Sequence, residues 1–432
     1  MGRRAVPGAG HPVTLLGLSR PWRVVLGGSV LLMLQNGLIL SAFGAYLVAI
    51  TADTGWSPGI VAVGYAIVQL GNGFLAPLTG WCCDRFGTRA VSRVGTFSTA
   101  AGFALAGGTA DAPQFIAAIV VVALGCSAAG IMPLTVAVVQ VLPERRTLAL
   151  GLLPSGIALG GLAVPFVALA LDGIGWRATF LVVAGVIVLV GLAAGRTLPT
   201  ARAASRAAAV AADEPVVADP AGSGHDLGSA LRTSAFWLLV AGHGSALVAV
   251  SAVNLHLVPL LNHHHGMPLA TAGVAVAAMS VAQLVGQVVT GLIGDKIDKR
   301  TLAASCMAVQ TGVLVLMATV SGFAMLVTAA VVHGLMWGLR GPVMTSLRTD
   351  YFGLASFGTI MGWSMGFVSL GLVIGPLLVS ALADGPGYQA AFLTLAAVTG
   401  AGGVAFVVLR APRPNTMTAA RPVASGCGCQ SQ

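Results

Sequence analysis

Charge is what this chain has least of. Only 8% of its 432 residues are Asp, Glu, Lys or Arg, against about a quarter in soluble domains, which puts it far outside that class. Acidic residues are the scarcer sign, 13 against 22 basic ones, and none falls inside an apolar run. The six cysteines, Cys82, Cys83, Cys126, Cys306, Cys427 and Cys429, make no secreted disulfide pattern. There is no phosphate-binding loop, no Ser/His/Asp set and no metal-ligand spacing, so catalysis, ATP hydrolysis and a bound cofactor have no support. His263, His264 and His265 form a run without a carboxylate or Cys beside it and read as a solvated loop. Cys427 and Cys429 read as part of a disordered tail in a reducing compartment.

What is present is apolar. The chain is 56% hydrophobic with 58 glycines, and its mean hydropathy is +0.92. Repeated long apolar segments make a polytopic membrane protein, and small residues let its helices approach closely. Twelve spans are expected, near 24–50, 58–80, 90–108, 114–141, 147–171, 177–197, 234–260, 270–293, 302–321, 322–347, 357–382 and 389–409. The first is long enough to cross and eleven follow, so it reads as a span and not as a cleavable leader.

The net charge of +9 would suggest nucleic acid in a soluble protein, but here it lies in the short connections between spans and sets topology. With the N-terminus inside, 20 of the 22 Lys and Arg residues fall on the cytoplasmic side. Arg348 is counted in that group, Arg177 falls outside and Arg340 falls within the membrane. Both termini are therefore expected in the cytoplasm of a cell that carries the protein in its inner or plasma membrane. The expected organisation is a cytoplasmic segment 1–23, a six-helix bundle 24–197, a flexible linker 198–233, a second bundle 234–409 and a tail 410–432. Trp22, Trp56, Trp81, Trp176 and Trp237 lie near span ends, as an aromatic belt would. Trp337 and Trp363 do not, and are cavity candidates.

The halves repeat. Gly80-Trp-Cys-Cys-Asp84-Arg85 returns as Gly291-Leu-Ile-Gly-Asp295-Lys296, an offset of 295 − 84 = 211. Asp172-Gly-Ile-Gly-Trp-Arg-Ala-Thr-Phe180 returns as Asp384-Gly-Pro-Gly-Tyr-Gln-Ala-Ala-Phe392, an offset of 384 − 172 = 212. Gly130 matches Gly341 at 211. Two homologous six-helix bundles around a central site follow from this.

Arg340 is the focus. A charge at membrane depth is costly, and such residues usually face a cavity. His333, Trp337 and Arg340 at i, i+4 and i+7 share one helix face. No acidic residue lies at that depth, so the substrate is expected to supply the counter-ion as a carboxylate or other small anion. The competing reading has Arg340 snorkelling to the interface or donating to helix-end carbonyls. Gly341 and Pro342 beside it are expected to interrupt regular helix bonding and re-aim it.

The stretch Gly80-Trp-Cys-Cys-Asp84-Arg85-Phe86-Gly87-Thr88-Arg89 resembles the loop signature of the major facilitator superfamily, where that loop latches the cytoplasmic side in one conformation. The resemblance makes Asp84, Arg85, Gly87 and Arg89 gating residues, with Asp295 in the second, weaker copy, where Asp298 replaces the glycine. Asp84 can cap a helix or pair with Arg89 or Arg93, while Gly87 permits the turn. Glu144-Arg145-Arg146-Thr147-Leu148-Ala149-Leu150-Gly151 and Asp350-Tyr351-Phe352-Gly353, with Gly358, Gly362 and Gly375-Pro376, are similar to the monocarboxylate-transporter group and its oxalate–formate relatives. The charged start of span one and the Asp/Arg pair in span eight known in that group are missing; span eight has only Gln283 and Gln287. Lactate-like proton symport is therefore not inherited directly.

The resemblance implies that spans one, four, seven and ten line the cavity. Their polar residues are Gln35, Asn36 and Tyr46, then His243, Ser251, Asn254 and His256, then His333, Trp337 and Arg340. Each buried amide or ring could equally be a helix–helix hydrogen bond, and His333 a neutral donor to a carbonyl instead of a proton carrier. The expected protein is an all-α secondary transporter, a monomer with no nucleic-acid partner. It would move a small organic anion by alternating access, with protons as a coupling ion. An exporter of amphipathic drugs or secreted metabolites is the alternative, and a non-transporting membrane sensor the third reading.

Overall fold

A computed structural model describes residues 20–412 apart from 143–145, 201–224, 265, 321, 354–356 and 384. Glu144 and Arg145, most of the linker, His265, the side chain of Asp295, and Cys427 and Cys429 lie outside the described residues. Those described are helical, without a strand. We number the passes α1 Pro21–Thr54, α2 Pro58–Phe74 continued by Ala76–Phe86, and α4 Ala112–Val141. Between the last two lies α3, Thr88–Gly107. The helical stretch Ala149–Gly195 is 47 residues long, about 70 Å at 1.5 Å per residue and too long for one crossing of a hydrocarbon core of about 30 Å. It breaks at Gly175, whose φ of 74° and ψ of 167° are not helical, into α5 (149–174) and α6 (176–195). The second half holds α7 Ser234–His263, α8 Leu269–Ile293, α9 Lys299–Thr319, α10 Phe323–Phe352 and α12 Tyr388–Val408, with α11 Phe357–Ala383 before the last.

Local chemistry sets several of these boundaries. Asp111, Thr233 and Asp298 accept from the backbone N–H of Gln114, Phe236 and Thr301, which satisfies an orphan donor at each helix start. Pro58 and Pro113 sit in first turns, where the missing N–H costs nothing. At the far end of α1, Asp53 accepts from Trp176 Nε1 at 2.8 Å and from Arg177 Nη1 at 2.5 Å. Those two bonds tie the end of α1 to the start of α6, just past the break at Gly175.

Two boundaries differ from expectation. The second span runs to Phe86, bent by 54° at Leu75. Asp84 therefore lies in the last turn of that helix and caps nothing, because Gly87 takes the cap position of α3. The tenth helix runs to Phe352 through Pro342 without a break and ends at Gly353, φ 73°. Arg348, counted above with the cytoplasmic charges, is inside it.

The two halves meet along α2 with α11, α5 with α8, and α1 with α7. These contacts use the first part of α2, the end of α1 and the later part of α5, all remote from the face that carries the termini. A Cβ on Gly44 would lie 2.5 Å from the Leu255 carbonyl oxygen, and one on Gly273 would lie 3.1 Å from Pro165 Cα. Gly161 stands as closely against Ser280. On the terminus-bearing face, residues 76–86, 131–141 and 146–152 make no extended packing with the second half among the described residues. The cleft between the halves is closed at the far face and splayed at the terminus face.

Candidate functional site

α10 carries His333, Trp337 and Arg340 on one side, and α9 packs beside it. Arg340 is fully buried. Its Nη1 donates to Gln310 Oε1 at 2.8 Å and to Met307 Sδ at 3.0 Å. Its guanidinium carbon stands 5.5 Å from the centre of the half-buried Trp337 ring, a cation–π distance. Nε, with one hydrogen, and Nη2, with two, have no partner. Among the described residues no carboxylate pairs with Arg340; the two ion pairs there, Arg177–Asp53 and Lys299–Asp350, lie elsewhere. An idle guanidinium donor in a dry interior carries a large desolvation penalty, so this side chain is primed for an acceptor. His333 is also buried, with Gln310 Nε2 at 3.4 Å from its Nδ1 and 3.5 Å from its Nε2. The shared face therefore exists and is tied together by Gln310, a residue the sequence reasoning passed over.

A second buried cation was also missed. Arg348 is 1% exposed. Its Nε donates to Ser364 Oγ at 2.9 Å, Nη1 to the Met344 carbonyl at 3.0 Å and Nη2 to His243 Nδ1 at 3.0 Å. An arginine only donates, so His243 Nδ1 carries its lone pair here and the ring, when neutral, bears its proton on Nε2. Gly353, five residues on, is the stop signal that would have extended the helix past Arg348.

The other residues singled out are distributed differently. His256 is fully buried between Tyr388 OH at 3.3 Å, the Pro376 carbonyl at 3.1 Å and Ser380 Oγ at 3.2 Å. Ser251 is likewise held by carbonyls of Leu247 and Gly371. In the first half, Gln35 Nε2 donates to Asn72 Oδ1 at 3.0 Å and to the Cys126 carbonyl at 3.1 Å. Asn36 Nδ2 donates to Ser41 Oγ at 3.0 Å and the Ile157 carbonyl at 2.7 Å, and Tyr46 OH to the Leu38 carbonyl at 2.7 Å. These bonds suit the π-helical stretch Gln35–Ser41, which loosens the ladder of α1 and needs side-chain support. Asn254 is half-buried. Trp363 is 54% exposed and tilts against Phe367 at 6.0 Å; it joins none of the buried clusters.

At the loop signature, Asp84 and Arg85 are exposed. Arg85 stacks over Trp81 at 5.6 Å. Asp84 pairs with neither Arg89 nor Arg93 among the described residues. Arg89 instead donates to the carbonyls of Leu198 at 2.6 Å and Arg196 at 2.8 Å, because the open carbonyls ending α6 are strong acceptors for a nearby cation. Gly87 has φ 83°, which favours glycine at that turn.

Two six-helix halves related by a sequence repeat, meeting at a cleft open to one face, now stand beside the known proteins. A family model described as Major Facilitator Superfamily matches residues 26–268 and 242–425. The chain belongs to that superfamily. Among its relatives, the protein named Monocarboxylate transporter 13 from Bos taurus is 26% identical over 409 residues, covering 90% of this chain and 89% of that protein. A major facilitator of this kind is a multi-pass membrane transporter of small molecules and not an enzyme.

Proposed function

We propose that this protein is a secondary active transporter of a small monocarboxylate-like anion, working by alternating access between its two halves. The observation that carries the reading is Arg340: fully buried and, among the described residues, without an acidic partner and with Nε and Nη2 idle. The printed name of the bovine relative points to the same substrate class. A carboxylate entering through the open face would take those two nitrogens as a bidentate pair, the geometry a guanidinium offers and an ammonium does not. Trp337 over the guanidinium would give way as the anion arrives and pack against its apolar part. Asp84, Arg85, Gly87 and Arg89, with Asp295 in the second copy, would act on the opposite event, closure of the terminus face. The exposed Asp84, without a basic partner among the described residues, suits the splayed state. If protons are coupled, the substrate's own carboxyl group is the simplest carrier, since His243 faces the Arg348 guanidinium, His333 faces the Gln310 NH2 group and His256 is held on all sides. The basic loops argue for an inner or plasma membrane with both termini in the cytoplasm.

Counterflow and binding of small carboxylates in proteoliposomes, with protein amount checked, test this. Arg340→Ala should weaken binding by roughly 2–5 kcal/mol, and Arg340→Lys, which keeps the charge but loses the fork, should be clearly impaired too. Wild-type transport by the Ala variant would remove the anion seat and leave Arg340 a structural residue.

A further inference from the structure

One buried amide decides whether Arg340 is paired. Gln310 is fully buried on α9. Its Oε1 accepts from Arg340 Nη1 at 2.8 Å, and since arginine has no acceptor, the amide orientation is fixed with its NH2 group toward His333. The charged or titratable groups around it are Arg340 and His333 from α10 and Cys306 from its own helix; α12, packed on the other side, carries none between Gln389 and Val408. A glutamate has the same length and nearly the same shape. At this position it would be a fixed internal counter-ion for Arg340, and the idle nitrogens would no longer call for an anion. The corresponding residues of the first half, at the offset of 211, are Thr99 and Ala129, so the amide and the cation belong together and to this half alone.

We propose that Gln310 is the positioning residue of the anion seat: its neutral carbonyl oxygen aims Arg340 without neutralising it, and its NH2 group holds a neutral His333. The inference rests on the anion-transport reading above and adds what keeps the seat open to an external anion. It makes substrate affinity depend on an amide that never touches the substrate. It also separates stability from function, because replacing the amide by a carboxylate completes a buried ion pair while removing the site's need for a ligand.

The test is Gln310→Glu beside Gln310→Met and Arg340→Ala, each in proteoliposomes with a small monocarboxylate, together with thermal unfolding in detergent. Gln310→Glu should unfold at or above the wild-type temperature, yet raise KM for the anion by at least roughly tenfold with a smaller change in the maximal rate. Gln310→Met, which leaves Arg340 Nη1 and His333 without their partner, should lower the unfolding temperature. A Glu variant with wild-type KM, or one destabilised as much as the Met variant, overturns the proposal. The two readings fail separately. Loss of transport in Arg340→Ala with wild-type KM in Gln310→Glu sinks only the role of Gln310; wild-type transport in Arg340→Ala sinks the seat itself and the role of Gln310 with it.

Discussion

In the first half, Thr96, Thr99, Cys126 and Ala129 line a partly open pocket of about 30 Å³, with Leu31, Leu34 and Gln35. Moving the first four by 211 residues gives Met307, Gln310, Trp337 and Arg340, the members of the buried cationic cluster in the second half. One half has a small, mostly apolar pocket at this place; the other has a guanidinium, an amide, a thioether and an indole. The frame around them is shared. Arg89 donates to the Arg196 carbonyl and Arg300 to the Val407 carbonyl, both at 2.8 Å, and donor and acceptor are each displaced by 211 (300 − 89, 407 − 196). Thr79 bonds Ser127 at 3.0 Å, while Thr290, also 211 residues on, bonds the Leu339 carbonyl at 2.7 Å. The repeat therefore preserves how helices are tied to one another, and leaves the interior chemistry free to diverge. A substrate with one charged end needs that divergence, because two equal halves would offer no preferred orientation.

The contrast is most sharply broken at Arg348. Replacing it by Met removes three hydrogen bonds at once and leaves Ser364 and His243 without their donor. Arg348→Met should cost about 2–4 kcal/mol in thermal unfolding of the purified protein. Ala137→Ser at the corresponding place in the first half should cost about 1 kcal/mol or less. Equal losses would mean that the polar interior of the second half contributes nothing special. A middle effect tests the shared frame. Arg89→Ala and Arg300→Ala should each lose about 1–2 kcal/mol, and the two losses should agree within about 1 kcal/mol if the anchors are equivalent. Unfolding midpoints in detergent report this directly. The smallest effect belongs to the pocket. Ala129→Cys adds one atom to a space of about 30 Å³ and should change stability by no more than about 1 kcal/mol in either direction. A larger loss would show that the pocket is already occupied in solution.

The architecture was legible in the sequence because length and apolarity alone dictate crossings. All twelve expected spans have helices, and the turn expected at Ser321-Gly322 lies between Thr319, where α9 ends, and Phe323, where α10 begins. The repeat at 211 could be read from glycines and aspartates at helix ends, which punctuate backbone geometry. The site was only half legible. His333, Trp337 and Arg340 were visible through helical spacing on one element. Gln310 was not, since nothing local relates position 310 to 340; only packing of α9 on α10 does. Arg348 was hidden by its charge, which reads as a loop end until Gly353 is weighed as the true helix stop. Asp84 was expected to cap or pair, but the bend at Leu75 allows α2 to continue past it. Pro342 was expected to disturb α10, and the helix absorbs it.

The closed far face has a consequence of a different kind. Its seam is glycine against backbone and small side chains, at Gly44 with Leu255, Gly161 with Ser280 and Gly273 with Pro165. Among the described residues no ion pair joins the two halves. Among the described residues these close glycine contacts carry no charge, so added salt has nothing at them to screen. The seam acts as a dry mechanical joint, set by shape alone. Its opening should be indifferent to ionic strength, so that any electrolyte dependence of turnover reports the ligand and the terminus face, not the far door.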